Sequence, residues 1–426
     1  MSDDLSPVAV VGLGRIGLPL AAQYASQGLT VTGCDINADI VAEVAQGHCP
    51  YPDEEGLEAA LRAAHAAGRL TATTDTKGAV SRSKVVVIIV PVGLTPENRA
   101  DFSALDAAAR SVAAGLRPGT LVILETTVPA GTTRNHLGPL LETSGLRIGQ
   151  EILLAYSPER VFVGRVLADL RKYPKVVGGI DEAGLQRVAA FYEKALAAPV
   201  LRMANCETAE FVKLAETTYR DVNIALANEL ARAADQHGVD VTAAIDAANS
   251  QPFSHIHQPG VGVGGHCIPV YPYFLIEGAE ESQLPRAARR INDGMARYAV
   301  ERLVGALGSL QGKTVLILGL SYRPNIKEAA YSSTLLLARE LTVAGAHVLV
   351  HDPYHSASEI SRFGLEAPAA FPPAHTDALV IQTAHDEYLK MDLASFTGCS
   401  VVLDGRNVLS KETVEALGLR YLGIGK

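Results

Sequence analysis

The sequence predicts an α/β protein with two lobes of alternating strands and helices on either side of a central helical region. Short β-branched runs alternate with Ala- and Leu-rich stretches from residue 7 to about residue 200, which is typical of βαβ units on a parallel sheet. The period becomes helical over residues 206–249 and again over 284–307. At Gly312 the alternation restarts. We therefore expect three domains, residues 1–200, 201–309 and 310–426.

The individual elements follow from short apolar runs bounded by turn residues. Predicted strands of the first lobe cover residues 8–11, 30–32, 85–90, 121–124 and 152–155. The second lobe is predicted to contain a strand at 314–318, a helix at 333–345 and a strand at 346–351. A Pro- and Ala-rich loop is expected at 367–373.

Composition and charge narrow the class of protein. The chain has 426 residues, of which 48% are hydrophobic and 19% charged, as in soluble α/β proteins. The formal net charge of -9 argues against a nucleic-acid or anionic-membrane partner. The longest apolar run, residues 85–92, is too short to cross a bilayer, and the first residues do not resemble a signal peptide. We expect a cytoplasmic protein.

The five cysteines are odd in number and lack Cys-x-x-Cys spacing, which argues against a disulfide framework and a zinc cluster. The histidines show no metal-ligand spacing, so no metal is expected. Any cysteine with a special role in this chain would be special for its reactivity.

A glycine-rich turn follows the first predicted strand and opens a helix. In this Gly-x-Gly-x-x-Gly motif, Gly12 makes the tight turn, Gly14 lets the backbone approach a pyrophosphate, and Gly17 allows close packing of helix on strand. Asp35, at the end of the next strand, would bind the ribose hydroxyls and repel a 2'-phosphate. The spacing therefore predicts a Rossmann domain that binds NAD rather than NADP.

The second lobe has only a partial version of this turn. Its first strand runs into Gly319-Leu320-Ser321-Tyr322, which lacks the full glycine set, so no second dinucleotide is expected there. The second, Rossmann-like lobe is better suited to holding part of a substrate.

Four glycines precede one cysteine in the segment 259–269. Such a run exposes backbone N–H groups and lets a bulky polar ligand come close, while Cys267 can present its sulfur to that ligand. A thiolate can capture an aldehyde as a thiohemiacetal, which can be oxidised to a thioester, so one site could perform two hydride transfers. Taken alone, Cys267 would more often be a small buried hydrophobe.

These features occur together with further ordered segments, and the whole chain resembles the UDP-glucose and UDP-N-acetylhexosamine 6-dehydrogenase family. The matching segments are residues 12–17, 125–133, 157–160, 175–179, 210–229 and 262–267. The resemblance implies a nucleotide-sugar dehydrogenase with an N-terminal NAD-binding domain, a central helical domain for dimerisation and catalysis, and a C-terminal domain that binds the nucleotide sugar.

The resemblance also implies the roles of individual residues. Cys267 would be the thioester-forming nucleophile, and Lys213 the ammonium that stabilises negative charge on the C6 oxygen. Glu159 and Thr127 would place and activate water, with Glu159 a candidate general base. Contacts with NAD are expected from Gly12, Gly14, Arg15, Ile16, Gly17, Asp35, Pro91 and Thr126, and contacts with the nucleotide sugar from Arg160, Lys213, Gly262, Gly264, Gly265, Tyr322 and Arg323.

The segment 210–229 has helical spacing with two different faces. One face carries polar side chains, and the other is an apolar stripe that we expect to pack inward. The polar positions are Glu210, Lys213, Thr217 and Arg220, and the apolar positions are Phe211, Leu214, Ala215, Val222 and Leu226.

Three positions depart from the family pattern. Thr217 stands where the family usually has Asn, Tyr271 where it usually has Asp, and Ala330 where it usually has an Arg that contacts the nucleotide sugar. Thr217 keeps a hydroxyl that can bond water, and Arg323 or Lys327 would have to replace the missing charge. These departures favour a different substrate, or slower thioester hydrolysis, compared with an average member of the family.

The run of residues 220–229 is more similar to the N-acetylhexosamine branch than to the glucose branch, which favours UDP-N-acetylmannosamine or UDP-N-acetylglucosamine. UDP-glucose or dTDP-glucose remains an alternative, as do a two-electron dehydrogenase of the hydroxyacid type and a catalytically idle protein that binds nucleotide sugars. A homodimer is the default expectation for such a protein.

Overall fold

The computed structural model describes residues 5–279 and 281–426. They form two compact units. Unit 1 runs to Glu216 and takes in a short segment that begins at Tyr273. Unit 2 comprises Thr217–Pro272 and Glu281–Lys426. The division into three domains at residues 200 and 309 stays a prediction.

A largely parallel sheet forms the centre of unit 1. Its strands are β1 (Val8–Val11), β2 (Val31–Cys34), β3 (Leu70–Thr73), β4 (Val85–Ile88), β7 (Leu121–Leu124), β8 (Leu153–Tyr156), β9 (Lys175–Gly179) and β10 (Val200–Arg202), while β5 (Gly93–Leu94) and β6 (Ala100–Asp101) form a separate antiparallel pair. The order across the main sheet is β10-β9-β8-β7-β4-β1-β2-β3, and β8 with β9 is its antiparallel pair. The run β3-β2-β1-β4-β7-β8 is the strand order of a Rossmann domain.

Helices cover both faces of this sheet, so strands β4 and β7 are buried along their whole length. The helices of unit 1 are α1 (Gly17–Ser26), α2 (Ala38–Ala45), α3 (Leu57–Ala66), α4 (Thr76–Val80), α5 (Ser103–Ala113), α6 (Gly138–Glu142), α7 (Val166–Lys172) and α8 (Glu182–Ala195). The long helix α9 (Cys206–His237) continues from unit 1 into unit 2.

Unit 2 contains a five-stranded parallel sheet with the order β12-β11-β13-β14-β15. Its strands are β11 (Thr314–Leu318), β12 (His347–His351), β13 (Ala378–Ile381), β14 (Val401–Asp404) and β15 (Arg420–Gly423). Its helices are α10 (Val241–Ala248), α12 (Gln283–Leu307), α13 (Ser333–Val343), α14 (Ala357–Arg362), α15 (Asp386–Leu389) and α16 (Lys411–Ala416), and α11 (Tyr271–Glu277) begins at its boundary with unit 1.

These two doubly wound sheets and the helices α9, α10 and α12 confirm the predicted fold class. The continuous helical pattern of residues 206–249 is divided, because α10 starts afresh with Asp240 accepting hydrogen bonds from the N–H groups of Thr242 and Ala243. Strand β3 was missed since its half-exposed, Thr-rich sequence has no apolar run. Within the described residues, no helix has both the length and the apolar character needed to cross a bilayer.

The prediction for the faces of α9 is wrong. The polar side chains of Glu210, Lys213 and Thr217 are buried, whereas Phe211 is 49% and Leu226 46% exposed. Ala215 is exposed as well, Val222 and Arg220 are half-buried, and Leu214 alone of the predicted stripe is fully buried. The polar face can turn inward because its groups find hydrogen-bonding partners far away in the sequence, which helical periodicity cannot reveal.

Glu210 illustrates these partners. Its carboxylate accepts hydrogen bonds from the N–H groups of Gly131 and Thr133 and from the hydroxyl of Thr133, with Thr133 distances of 2.8 and 2.6 Å. Glu210 thereby ties the loop after β7 to the first turns of α9. Burial raises the pKa of Glu210 to about 6, above the ordinary value of 4.5.

This raised pKa predicts a pH-dependent stability. Between the two values the native carboxyl binds a proton more strongly than the unfolded one, so the free energy of unfolding falls as the pH rises through this range. Glu210→Gln does not titrate. We expect the stability of the wild type relative to this variant to fall by up to about 2 kcal/mol between pH of about 4.5 and about 6, measured by chemical denaturation.

Glu207→Gln on the same helix is the matched control. A hydrogen bond with Arg134 lowers the pKa of Glu207, so the wild type should gain stability relative to this variant as the pH rises. A stability difference between wild type and Glu210→Gln that does not change with pH would contradict the assignment.

Candidate active site

The glycine turn after β1 has the geometry that its sequence predicts. Gly12 has a φ of +104°, and a Cβ atom there would lie 2.5 Å from the carbonyl oxygen of Ile89. A Cβ on Gly17 would collide with the carbonyl oxygen of Gly12, so α1 packs as closely on the turn as a glycine allows. Beside Gly14 there is open space, which is where a pyrophosphate could approach the backbone and the start of α1.

Asp35 is fixed directly beside this turn. One carboxylate oxygen accepts a hydrogen bond from the N–H of Leu13 at 2.7 Å, and the other from the N–H of Asn37 at 2.8 Å. Because Asp35 is half-buried at the end of β2, its carboxylate can still accept bonds from ribose hydroxyls.

The other predicted cofactor positions lie in loops that follow the carboxyl ends of neighbouring strands. Arg15 and Ile16 belong to the turn after β1, Pro91 follows β4 and Thr126 follows β7. The hydroxyl of Thr126 donates to the carbonyl oxygen of Val90 at 2.6 Å, which joins two of these loops. Parallel strands end at one edge of the sheet, so all of these residues share the edge where Rossmann domains bind dinucleotides.

Arg15 has a defined position in this turn. It forms an ion pair with Asp53 at 2.7 Å and lies 5.4 Å above the ring of Tyr51. The hydroxyl of Tyr51 in turn donates to the carbonyl oxygen of Leu13 at 3.0 Å. Tyr51 and Asp53, which precede α3, therefore hold the glycine turn in place.

A buried charged cluster lies at the same edge of the sheet. Thr127 follows β7, Glu159 follows β8, and both are largely buried. Lys175, the first residue of β9, forms ion pairs with Glu159 and, at 3.0 Å, with Glu125. Because β9 is antiparallel to β8, its amino end lies where β8 ends, which brings Lys175 to Glu159.

Lys213 belongs to this cluster. Its side chain is buried on α9, and its positive charge contributes to lowering the pKa of Lys175, behind the larger effect of burial. Thr217 is fully buried one turn further along the same face. Arg160 is half-buried next to Glu159 and pairs with Glu216 at 2.9 Å. The structure thus brings Lys213, Glu159 and Arg160 into one part of unit 1.

Lys175 was not among the predicted site residues. A lysine that opens an otherwise apolar strand is a signal that could have identified it, because such a charge needs a buried partner. Its two partners come from other strands, however, and the sequence does not say which ones they are.

Cys267 lies in unit 2 at the end of the glycine-rich segment. It is half-buried, and its carbonyl oxygen accepts a hydrogen bond from the N–H of Tyr271 at 2.9 Å. Cys267 is therefore joined to the first residue of α11. Tyr271, which replaces the usual Asp of the family pattern, is half-buried one turn after the cysteine.

The glycines before Cys267 serve contacts within the protein. A Cβ atom on Gly264 would lie 2.5 Å from Cβ of Tyr322, and one on Gly265 would lie 3.0 Å from the ring of Tyr322. A Cβ on Gly262 would lie 2.7 Å from Cβ of Ser333. At these positions a side chain of the chain itself comes close, and the approach of a ligand to the same glycines stays a prediction.

Buried polar side chains hold the start of the same segment. The amide of Gln382 donates to the carbonyl oxygen of Val261 and to the hydroxyl of Ser333, both at 2.7 Å. The guanidinium of Arg406 donates to the carbonyl oxygens of Gln382 at 2.7 Å and Gly262 at 3.2 Å. The main chain leading to Cys267 is therefore fixed by the loops after β13 and β14.

A second set of hydrogen bonds attaches both ends of the glycine-rich segment, residues 259–269, to helices α9 and α12. Asn228 of α9 accepts a bond from the N–H of Gly260 at 2.9 Å. Arg289 of α12 donates to the carbonyl oxygen of Ile268 at 3.2 Å and to the carboxylate of Asp221 at 2.7 Å. All three side chains are buried, so each of these hydrogen bonds satisfies a polar group that water does not reach.

The remaining predicted positions lie after β11. Arg323 is half-buried. Lys327 pairs with Glu359 at 2.7 Å, so its charge is already matched within unit 2. Ala330 touches the glycine-rich segment through its carbonyl oxygen, which accepts a bond from the N–H of Gly265 at 2.8 Å. Among residues 5–279 and 281–426, no three His, Cys, Asp or Glu side chains come together in a group that could hold a metal ion.

Three domain models of one protein family match the chain. The NAD-binding domain of the UDP-glucose/GDP-mannose dehydrogenase family matches residues 6–196, its central domain matches 207–294 and its UDP-binding domain matches 316–411. The matches confirm NAD as the cofactor predicted from the glycine turn and Asp35.

Individual relatives are similar over nearly the full length. UDP-N-acetyl-D-mannosamine dehydrogenase of Pyrococcus horikoshii is 36% identical over 98% of this chain and 99% of its own. An NDP-N-acetyl-D-galactosaminuronic acid dehydrogenase of Ralstonia solanacearum is 35% identical over 97% of this chain and 98% of its own.

Solved structures of similar proteins indicate the same family. The UDP-D-ManNAc dehydrogenase structure from Pyrococcus horikoshii superposes with a TM-score of 0.88 at 35% identity, covering 98% of this chain and 99% of that one. A UDP-glucose dehydrogenase structure from Pyrobaculum islandicum superposes with a TM-score of 0.86 at 31% identity, covering 98% and 97%. The chain therefore belongs to the UDP-glucose/GDP-mannose dehydrogenase family and is an NAD-dependent nucleotide-sugar dehydrogenase.

Proposed function

We propose that this enzyme oxidises C6 of a UDP-N-acetylhexosamine to the carboxylate through a thioester on Cys267, with UDP-N-acetylmannosamine or UDP-N-acetylglucosamine as the substrate. The relatives from Pyrococcus horikoshii and Methanocaldococcus jannaschii, 36% and 34% identical, are both named UDP-N-acetyl-D-mannosamine dehydrogenase, which supports the choice of sugar. The observation that carries the chemistry is the burial of Lys213 and Glu159 in one charged cluster at the cofactor edge of the first sheet.

Cys267 provides the nucleophile in this scheme. Two NAD molecules, bound one after the other, would each accept one hydride, one for each oxidation. After the first oxidation, the sulfur of Cys267 adds to the C6 aldehyde and forms a thiohemiacetal, and the ammonium of Lys213 stabilises the negative charge on the C6 oxygen. Oxidation of the thiohemiacetal leaves the sugar attached to Cys267 as a thioester.

Water then releases the product. Glu159 takes a proton from a water molecule that Thr127 helps to position, and the oxygen of that water adds to the thioester carbon. The C–S bond breaks, the sulfur leaves as a thiolate, and the sugar leaves as a carboxylate. Thr217, next to Lys213 on α9, and Tyr271, one turn after Cys267, occupy the two positions that depart from the family pattern and are proposed to adjust this step.

We also propose roles for the remaining predicted positions. Residues 1–200 would hold NAD, residues 201–309 would carry catalysis and dimerisation, and residues 310–426 would hold the nucleotide sugar. Sugar and diphosphate would be contacted by Arg160, Gly262, Gly264, Gly265, Tyr322 and Arg323.

The substrate and the electron count can be tested together. Purified enzyme is incubated with NAD and, in separate reactions, with UDP-N-acetylmannosamine, UDP-N-acetylglucosamine, UDP-glucose and dTDP-glucose, while absorbance reports NADH and mass spectrometry reports a carboxylate. We expect the fastest turnover with a UDP-N-acetylhexosamine and two NADH per sugar. One NADH per sugar would favour a two-electron dehydrogenase, and ligand-induced stabilisation without NADH would favour an idle binding protein.

Replacing Cys267 should block the second oxidation, which converts the thiohemiacetal to the thioester. In Cys267→Ser we expect loss of carboxylate formation, because a hydroxyl is a much weaker nucleophile than a thiolate near neutral pH. Product mass and NADH per sugar are the measurements.

Cys399→Ser is the matched control, since Cys399 is another half-buried cysteine of unit 2 and no role is proposed for it. Unchanged carboxylate formation in Cys267→Ser would rule out the thioester.

Lys213→Ala should lower turnover far more than it weakens binding. A charge that stabilises the developing oxyanion acts in the transition state, so we expect kcat to fall about 10²–10³-fold with little change in KM. Lys194→Ala, which removes an exposed lysine of α8, should leave both constants unchanged. An increase in KM at unchanged kcat would instead make Lys213 a binding residue.

We infer a homodimer from the exposed face of α9. Phe211, Tyr219 and Leu226 are 49%, 59% and 46% exposed on one side of this helix, and Leu230 continues the stripe. A contiguous apolar stripe along one helix is typical of a protein interface, and a second copy of the same helix presents a matching stripe.

Leu226→Glu should therefore convert a dimer into a monomer, because two carboxylates would be buried against apolar side chains at a two-fold interface. Sedimentation velocity is the measurement. Val343→Glu is the control, since Val343 is 78% exposed on α13. A wild-type monomer at micromolar concentration would contradict the inference.

A further inference from the structure

Lys175 forms buried ion pairs with two carboxylates. Its side chain is 6% exposed, and its Nζ pairs with Oε1 of Glu125 at 3.0 Å and with Oε1 of Glu159. The side chain of Glu125 is fully buried, and that of Glu159 is 11% exposed. Lys175 therefore joins the fully buried carboxylate of Glu125 to the slightly exposed carboxylate of Glu159.

Glu125 fixes the position of the Lys175 ammonium and is itself held by two tyrosines. The hydroxyls of Tyr24, at 3.3 Å, and Tyr192 also donate to Oε1 of Glu125. Burial raises the pKa of both tyrosines well above their usual range, so both remain protonated donors. Glu125 and the ring of Tyr192, whose centroid is 4.8 Å from Nζ, then hold the ammonium of Lys175 in place.

The charges of the cluster balance. Glu125 and Glu159 carry two negative charges, and Lys175 and Lys213 carry two positive charges. Burial and the charge of Lys213 lower the pKa of Lys175, while Glu125 opposes that shift. Glu125 thereby favours the charged form of Lys175.

We propose that Lys175 is a positioning residue for thioester hydrolysis: it holds the carboxylate of Glu159 in one orientation and keeps it ionised until it takes a proton from the attacking water. The inference rests on the proposed function, in which Glu159 is the base. During hydrolysis a water proton moves to Glu159, the water oxygen bonds to the thioester carbon and the C–S bond breaks. Lys175 neither gains nor loses a proton in this step.

A positioning role makes a specific kinetic prediction. Loss of Lys175 should spare the two oxidations and slow the hydrolysis that follows them. A burst of two NADH per active site should then precede a slow steady state, with a sugar nucleotide attached to Cys267. A purely structural ion pair would lower all steps alike, through the fraction of folded enzyme.

The variant must remain folded. Lys175→Met alone leaves Glu125 buried without its cation, which is strongly destabilising. The double variant Lys175→Met with Glu125→Gln removes one charge of each sign and retains an acceptor for Tyr24 and Tyr192. Glu125→Gln alone is the matched control, because Lys175 still pairs with Glu159 in it.

Quenched-flow kinetics with UDP-N-acetylmannosamine, intact-protein mass spectrometry and pH profiles form the test. In the double variant we expect hydrolysis to slow at least about tenfold, the apparent KM to fall together with kcat and the covalent adduct to accumulate. Removal of an opposite charge beside Glu159 should also move the acidic limb of the hydrolysis profile upward by about 1–3 pH units. Lys175→Arg, which keeps the charge, should restore much of the rate and return the limb toward lower pH.

The variant Glu159→Gln distinguishes failure of the inference about Lys175 from failure of the proposed function. If Glu159→Gln traps the adduct while the double variant hydrolyses it like wild type, with an unchanged acidic limb, then Lys175 has no positioning role and the proposed function stands. If Glu159→Gln leaves hydrolysis unchanged, or no adduct forms in any variant or wild-type time course, both proposals are overturned.

Discussion

A charge that leaves water must be matched inside the protein, and this constraint organises unit 1 around Lys175. The lysine begins β9, and its ammonium is enclosed by the carboxylates of Glu125 and Glu159. Tyr24 and Tyr192, from two different helices, donate to the same carboxylate of Glu125. These hydrogen bonds and ion pairs join strands β7, β8 and β9 to helices α1 and α8. Unlike apolar contacts, they fix the direction in which each side chain points. Fixed orientation of this kind is what a general base requires.

The direction of the strands decides which residues can meet. β1, β2, β4, β7 and β8 run parallel, so Asp35, Thr126 and Glu159, which follow three of them, lie at one edge of the sheet. β9 runs the other way, and its first residue therefore reaches the same edge. One reversal of strand direction at the side of the sheet thus adds a cation to the edge at which Rossmann domains bind dinucleotides.

In unit 2 the main chain around Cys267 is held by side chains rather than by its own regular structure. Asn228 and Arg289 bind its two ends, and Gln382 and Arg406 bind its beginning. The glycines of the segment allow this close packing. A rigid support of this kind presents a side chain in one position, which the nucleophilic role proposed for Cys267 would require.

The sequence alone determined the two βαβ lobes, the glycine turn Gly12–Gly17 with NAD as the cofactor, and the family, because these depend on local periodicity and on residues close together in the chain. Only the tertiary structure decided that Glu210 turns inward while Phe211 faces outward, and that Lys175 joins Glu125 to Glu159. Helical spacing shows that a helix has two faces, but the buried face is the one whose groups find partners, and those partners come from distant strands and loops. The burial of a charge is a property of such pairs, so a pattern within one segment can point to a buried charge but cannot say which residues are its partners.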